Sequence, residues 1–393
     1  MKPSLTYLFL TFLRIGATSW GGFMALISMI QKKVVEQDKN LEGTDIMEGI
    51  SLASVLPGPM AVNVVSFVGY KLGGWTGALV SVVAVLLPSF LLMLGLSHLY
   101  FQYGDIPAMS QFFAGILPAV AAIIVSVAVN LGEKSIKDIP QIVIAIASGI
   151  LVFYSKSYLT TLAILAVCGV FGYFYYYKSS VVPASQDAKP VQTESSQKTY
   201  WLLLPLLGLG VLGVWANGNP LLEIHKTILL TFSGMSLSQF GGGYVIIPTM
   251  QKIVVDGMKW LSNREFVDAV AMGQITPGPI FVSATFIGYK LAGFWGALNA
   301  TISIFAPTAV LTIFCARFFN KISKSAVVTA IFKGLRPAII GMIASAALTI
   351  LWGNGISLFA AAIFGIALLV IMRFKVDPVY VIPAAGITGI LIL

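Results

Sequence analysis

The chain has 393 residues, of which 58% are hydrophobic and 10% charged, and its mean hydropathy is +0.91. A soluble globular domain carries roughly a quarter charged residues, so this composition excludes one and defines an integral membrane protein. The net charge of +9 is spread over loops in small groups, which suits anchoring at a cytoplasmic lipid face and excludes the basic stripe of a nucleic-acid-binding protein.

The first 30 residues are apolar, lack a small-residue cleavage site after a short core, and return later in the chain, so they read as mature structure and not as a signal peptide. Gly21 and Gly22 interrupt them near the middle, where glycine permits a break or close helix packing. Residues 46–56 and 60–72 follow, each too short to cross a hydrocarbon core that needs about 20 apolar residues. Between them stands Pro57-Gly58-Pro59. Proline lacks a donor, breaks the helix ahead of it, biases the preceding residue away from helical angles and suits the first turn of a new helix. The pair therefore predicts a broken or re-entrant helix with PGP at its tip. Apolar segments at 74–97, 112–130 and 158–177 approach or meet spanning length. Residues 178–199, rich in Ser, Pro, Gln and Lys, read as a solvated cytoplasmic linker, and 200–216 as one extra connector helix. Beyond it come Gly241-Gly242-Gly243, short segments 266–276 and 280–292 around Pro277-Gly278-Pro279, and apolar segments at 294–316, 356–372 and 376–393.

The second series repeats the first. Phe12 falls on Phe232, Gly21-Gly22 on Gly241-Gly242, Gln31-Lys32 on Gln251-Lys252 and PGP on PGP at a constant offset of 220. After one deleted residue the offset becomes 219, placing Phe67 to Leu72 on Phe286 to Leu291, Pro88 on Pro307, and Gly115 with Pro118 on Gly334 with Pro337. The chain thus divides into a first repeat (1–177), the linker, the connector and a second repeat (217–393). Loop 98–111 holds only His98 and Asp105, whereas its equivalent 317–336 holds Arg317, Lys321, Lys324, Lys333 and Arg336. By the positive-inside rule the two lie on opposite sides, which makes the repeats inverted. The expected fold is an all-α polytopic membrane protein of two inverted-topology repeats with broken or re-entrant helices at the GG and PGP motifs, about 9–13 membrane segments in all. Such repeats are typical of secondary transporters with a midplane site. A channel shares the symmetry.

Trp20 to Gly22, Phe240 to Gly243, the LPGP and TPGP motifs ending at Pro59 and Pro279, and the Gly-Tyr-Lys that follows each resemble the chromate ion transporter family in its two-domain form, over nearly the whole chain. The resemblance implies a plasma-membrane carrier exporting chromate, driven by the proton gradient, with sulfate as the analogous dianion. It also marks Gly21, Gly22, Pro57, Gly58, Pro59, Gly241, Gly242, Pro277, Gly278 and Pro279 as the regions tied to function. Gly22 is followed by Phe23 where the second half has a third glycine, Gly243, so the two glycine loops are not identical.

The residues offer a substrate site on their own terms. A helix starting after PGP aims N–H groups and positive dipole at an anion, and Asn63 and Ser66 in one half and Gln274, Thr276, Ser283 and Thr285 in the other add small polar groups. The alternative is that these glycines and prolines are ordinary kinks and packing points of membrane helices. Arg14 lies inside the first apolar segment, either as a charge partner for a dianion or snorkelling to the interface. Lys71 and Lys290, beside Tyr70 and Tyr289, read as interfacial anchors, and Asp45 and Glu265 as solvated helix starts. One turn further in, Glu48 and Asp268 are the candidates for proton coupling. Cys168 and Cys315 sit alone, with no disulfide or metal spacing. No nucleotide-binding loop, metal cluster or nucleophile–base set appears, so neither an enzyme nor an ATP-driven pump is expected, and no cofactor. The expected partners are a chromate- or sulfate-like oxyanion, the lipid bilayer and a second copy in a homodimer.

Overall fold

The computed structural model describes residues 3–19, 22–103, 107–155, 158–177, 220–239, 246–316, 326–353, 357–376 and 378–392. The linker, the connector segment, Gly21 and Gly241 to Gly243 lie outside these. Among the described residues the protein is helical, without strands. The first half holds α1 (Leu5–Thr18), α2 (Gly22–Ile30), α3 (Gly43–Val55), α4 (Met60–Tyr103), α5 (Pro107–Ser135), α6 (Ile139–Tyr154) and α7 (Tyr158–Tyr176). The second holds α8 (Pro220–Ser238), α9 (Ile246–Gln251), α10 (Asn263–Ile275), α11 (Ser283–Ala316), α12 (Ala326–Gly353), α13 (Leu358–Phe374) and α14 (Pro378–Ile392). Among the described residues four helical stretches are long and apolar enough to cross a membrane: Met60–Tyr103, Ala114–Glu133, Ser283–Ala316 and Ala326–Ser345.

Local chemistry sets the short elements. A capping box opens α3, with the Glu42 N–H donating to Asp45 Oδ2 at 2.9 Å, and a second opens α10, where the Ser262 N–H donates to Glu265 Oε2 at 2.7 Å. Asp45 and Glu265 are therefore helix-start residues, each satisfying donors that an isolated helix end leaves open. At the other end α3 stops at Val55 and α10 at Ile275, just ahead of the PGP motifs. Each helix is about 20 Å long at 1.5 Å per residue, half a bilayer and some more.

Neither α4 nor α11 is a single rod. Helical geometry lapses at Gly73 and Gly74 (φ −139° and +65°) and again at Ala292 and Gly293 (φ −150° and +57°). The chain folds back on itself there. Gly69 lies so close to Gly77 that a Cβ on Gly69 would meet the Gly77 carbonyl at 2.8 Å, and one on Gly288 would meet the Gly296 carbonyl at 2.2 Å. Thr285 and Thr301, further from the second turn, share a hydroxyl hydrogen bond of 2.7 Å across it. So each half contains α3 or α10 descending to a PGP tip, a short arm (60–72 or 283–291) climbing away from it, and a long arm (75–103 or 294–316) running back past the tip.

The remaining helices pack across the halves. α12 of the second half lies against α6 and α7 of the first, while α5 of the first half lies against α13 and α14 of the second. Glycines let these helices touch backbone to backbone: a Cβ on Gly115 would meet the Ala385 carbonyl at 2.2 Å, and one on Gly334 the Cys168 carbonyl at 2.1 Å. The described residues of two stretches read from sequence as loops are helical. Residues 98–103 finish α4 and 107–111 begin α5, while Lys333 and Arg336 sit inside α12. Of the charged and titratable residues that mark these loops by composition, His98, Lys333 and Arg336 are thus carried on helices, and Asp105, Arg317, Lys321 and Lys324 lie outside the described residues. For the same reason α6 and α12, one shorter than a span and one interrupted by charge, are absent from the segments expected on length and hydropathy alone.

Candidate functional site

The two PGP tips meet the opposite halves in matching ways. Gly58 (φ +97°) donates its N–H to the carbonyl of Gln239 at 2.6 Å, and Gly278 (φ +109°) donates its N–H to the carbonyl of Ser19 at 3.1 Å. Ser19 and Gln239 are themselves equivalents, at the offset of 220, and each ends the helix that leads into a glycine motif. The second ring of contacts is exchanged too. Thr308 of α11 covers Gly58, and Ser89 of α4 covers Gly278, each placing its hydroxyl oxygen 2.3–2.4 Å from where a Cβ would stand. The tip glycine N–H groups are therefore engaged, and the N–H groups still lacking helical acceptors are those of the first turn after each tip, Met60 and Ala61 in one half and Ile280 and Phe281 in the other.

Prolines supply no donors, so their carbonyls decide what the tips accept. Asn63 Nδ2 donates to the Pro57 carbonyl at 2.9 Å, and Ser89 Oγ donates to the Pro277 carbonyl at 2.5 Å. Pro57, Gly58, Pro59, Asn63, Pro277, Gly278, Pro279 and Ser283 are all buried. Thr276 closes α10 with its hydroxyl on the Gly273 carbonyl at 3.1 Å, and Gln274 is buried beside it. Ser236 and Thr308 exchange a hydroxyl hydrogen bond of 3.3 Å next to Gly58. Among the described residues Ser19 Oγ, Asn63 Oδ1 and Gln239 Oε1 are buried without a hydrogen-bond partner. Unmet polar groups of this kind mark a place built for something other than packing. Asn63 Oδ1 and Gln239 Oε1 can only accept hydrogen bonds, so the groups able to replace the hydration of a tetrahedral oxyanion are the helix-start N–H groups and the Ser19 hydroxyl.

Sequence-derived candidates divide by place. Pro57 to Pro59 and Asn63 lie at the first tip, and Thr276 to Pro279 and Ser283 at the second, all buried. Gly22 starts α2, close in sequence to Ser19. Arg14 lies on an exposed face of α1, away from the buried groups. Glu48 and Asp268 sit near the bases of the hairpins, not at the tips. Lys71 donates to Asp45 Oδ1 at 2.8 Å and to Glu48 Oε2 at 2.9 Å, and Lys290 pairs with Glu265 Oε1 at 2.5 Å. The lysines expected as interfacial anchors thus clamp the base of each hairpin. Asp268 differs from Glu48: it is 1% exposed, and Oδ2 accepts from the Tyr100 hydroxyl at 2.6 Å. Ser19, Gln239, Ser89, Thr308 and Tyr100 escape motif reading because none lies in a glycine or PGP motif. A signal for two of them is present, since a small hydroxyl residue follows each repeated proline, Pro88-Ser89 and Pro307-Thr308.

Fold and composition together define a multi-pass helical membrane protein whose two buried PGP tips are each completed by residues of the opposite half. The chromate transporter family model matches residues 6–173 and 226–390, and the chain belongs to that family. It is thus a transport protein and not an enzyme. It is 29% identical over 373 residues to the chromate transport protein of Cupriavidus metallidurans, covering 95% of this chain and 89% of that one. It is 30% identical to a probable chromate transport protein of Synechococcus elongatus, over 87% of this chain and 84% of that one. An uncharacterized transporter of Bacillus subtilis aligns over 96% of its own length with 42% of this chain, at 32% identity. No solved structure matches significantly.

Proposed function

We propose that the protein is a secondary active transporter that exports chromate across the plasma (inner) membrane, accepts sulfate as the analogous dianion, and couples this to the proton gradient by alternating access between two inverted repeats. The observation that carries the reading is the course of the long arm of α4. Its start adjoins Lys71 at the base of the first hairpin, its middle places Ser89 on the second PGP tip, and its end places His98 and Tyr100 against Tyr289 and Asp268 at the base of the second hairpin. Residues 75–103 span about 43 Å, so the bases lie at opposite ends of a membrane-length helix, with the second tip at its middle. This course supports a reading in which the hairpins enter from two sides and substrate is held at the helix ends and hydroxyls near the tips. The names of the Cupriavidus and Synechococcus relatives supply chromate as the anion. Because the tip residues are buried, access from either side needs one set of elements to move against the other.

The test is transport by purified protein in proteoliposomes. Labelled chromate uptake is expected to saturate, to run uphill on an imposed pH gradient and to be competed by sulfate. Uptake no faster than in empty vesicles at every gradient overturns the reading. Flux that neither saturates nor moves uphill makes the same architecture an oxyanion channel.

A further inference from the structure

The two halves are matched at their tips and unmatched at their bases. Glu48 and Asp268 hold equivalent places one turn into α3 and α10, yet Glu48 is partly exposed and held by Lys71 at 2.9 Å, a lysine it shares with Asp45. In the second half Lys290 is drawn to Glu265. Asp268 is left with the Tyr100 hydroxyl on Oδ2, while Oδ1 is buried and has no hydrogen-bond partner among the described residues. The donor comes from the far end of α4, in the other half, and the position equivalent to Tyr100 is Phe319, which has no hydroxyl. The charged and titratable groups acting on Asp268 are Tyr100 from α4 and Arg264 and Glu265 from the first turn of α10 itself. Lys290 of α11 reaches Glu265 instead, and α9 carries no titratable residue.

We infer that proton coupling is carried by one carboxyl, Asp268, paired with Tyr100 across the halves, and that Glu48 is a structural member of the Lys71 clamp. This rests on the transport reading above. A carboxylate with one oxygen buried and unbonded is costly in a water-poor site. Adding a proton to Oδ1 gives a neutral acid, while Oδ2 keeps the Tyr100 hydrogen bond; losing it restores the anion. Since Tyr100 stands at the end of the arm that carries Ser89 to the opposite tip, a change of charge at Asp268 acts on an element that also touches the proposed substrate site. A duplicated chain thereby moves one proton site per cycle, not two.

The experiment uses the full chain in proteoliposomes and compares two fluxes of labelled chromate: uptake driven by an imposed pH gradient, and exchange for internal chromate at equal pH. Asp268→Asn is expected to lower the ratio of driven uptake to exchange by about tenfold or more, and Glu48→Gln to leave that ratio at the wild-type value. A wild-type ratio in Asp268→Asn, or an equal loss in Glu48→Gln, overturns the inference. Tyr100→Phe, which removes only the hydroxyl, keeps the idea testable if Asp268→Asn does not assemble. Without its donor the carboxylate is harder to form, so the pH midpoint of driven uptake is expected to move upward, and an unmoved midpoint overturns the pairing. Absence of chromate exchange in the wild type is a failure of the transport reading itself and is distinguishable from all of these.

Discussion

At Gly58 and Gly278 the backbone holds φ of +97° and +109°, values that a Cβ makes expensive, by roughly 1–3 kcal/mol per residue. The neighbours add to this in different ways. A Cβ on Gly278 meets Ser89 Oγ at 2.3 Å but Ser89 Cβ at 3.5 Å, whereas one on Gly58 meets Thr308 Oγ1, Cβ and Cγ2 all at 2.4–2.5 Å. Gly278→Ala and Gly58→Ala are each expected to lower the thermal unfolding midpoint in detergent by several degrees. Ser89→Ala is expected to restore part of the loss in the Gly278→Ala background. Thr308→Ala is not expected to rescue Gly58→Ala, because the Thr308 Cβ is itself in the way. Equal rescue in both pairs would show that the crowding seen here does not govern these sites. The need for glycine at the tips is legible in the PGP repeat. The identity of the residue that crowds each tip is not, because Ser89 and Thr308 lie on the opposite half.

The helical hairpins show how far segment reading reaches. Segments expected at 46–56 and 60–72 appear as α3 and the short arm of α4, because a capping box and a PGP break are local devices that act through neighbouring backbone. The reversal at Gly73 and Gly74 is written in sequence only as two glycines, which signify a kink or a packing point equally well. Gly74 has φ +65° with ψ −152°, a combination that only glycine adopts readily, and open space surrounds its missing side chain. Gly74→Ala is therefore expected to cost about 1–3 kcal/mol through backbone strain alone. Gly74→Asn is expected to do no better, since the ψ value lies outside the left-handed region that asparagine tolerates. Denaturation of both variants in mild detergent checks this, and full stability in Gly74→Asn would contradict it. Whether each hairpin is closed at its base depends on Lys71 and Lys290 reaching carboxylates 23–26 residues earlier in the chain. Residue type and position near a segment end describe an interfacial anchor just as well.

Over the whole molecule, reciprocity is the organising fact. Gly58 with Gln239 mirrors Gly278 with Ser19, Thr308 on Gly58 mirrors Ser89 on Gly278, and the outer helices of each half pack on the other. Two units that exchange equivalent contacts hold each tip against the opposite half, so freeing a tip must break contacts between halves. If the hairpins enter from opposite faces, Thr76 at the start of the long arm of α4 and His98 near its end, both exposed, belong to opposite sides of the membrane. With Cys168 and Cys315 replaced by serine, Thr76→Cys and His98→Cys are expected to react with an impermeant maleimide from opposite sides of oriented vesicles. Labelling of both from one side would sink the inverted arrangement.

Membrane residence, the duplication, its PGP breaks and the helix starts at Asp45 and Glu265 are determined by the sequence alone, because hydropathy, proline geometry and capping act within a turn or two of the residue concerned. Tertiary structure alone decides that each tip is completed by the other half, that Lys71 holds Glu48 while Tyr100 holds Asp268, and that the equivalence of the halves stops at their bases. These pairings join residues up to 259 positions apart, as Gly278 and Ser19 are, and they arise from how whole helices pack, a property that no local pattern of side chains carries.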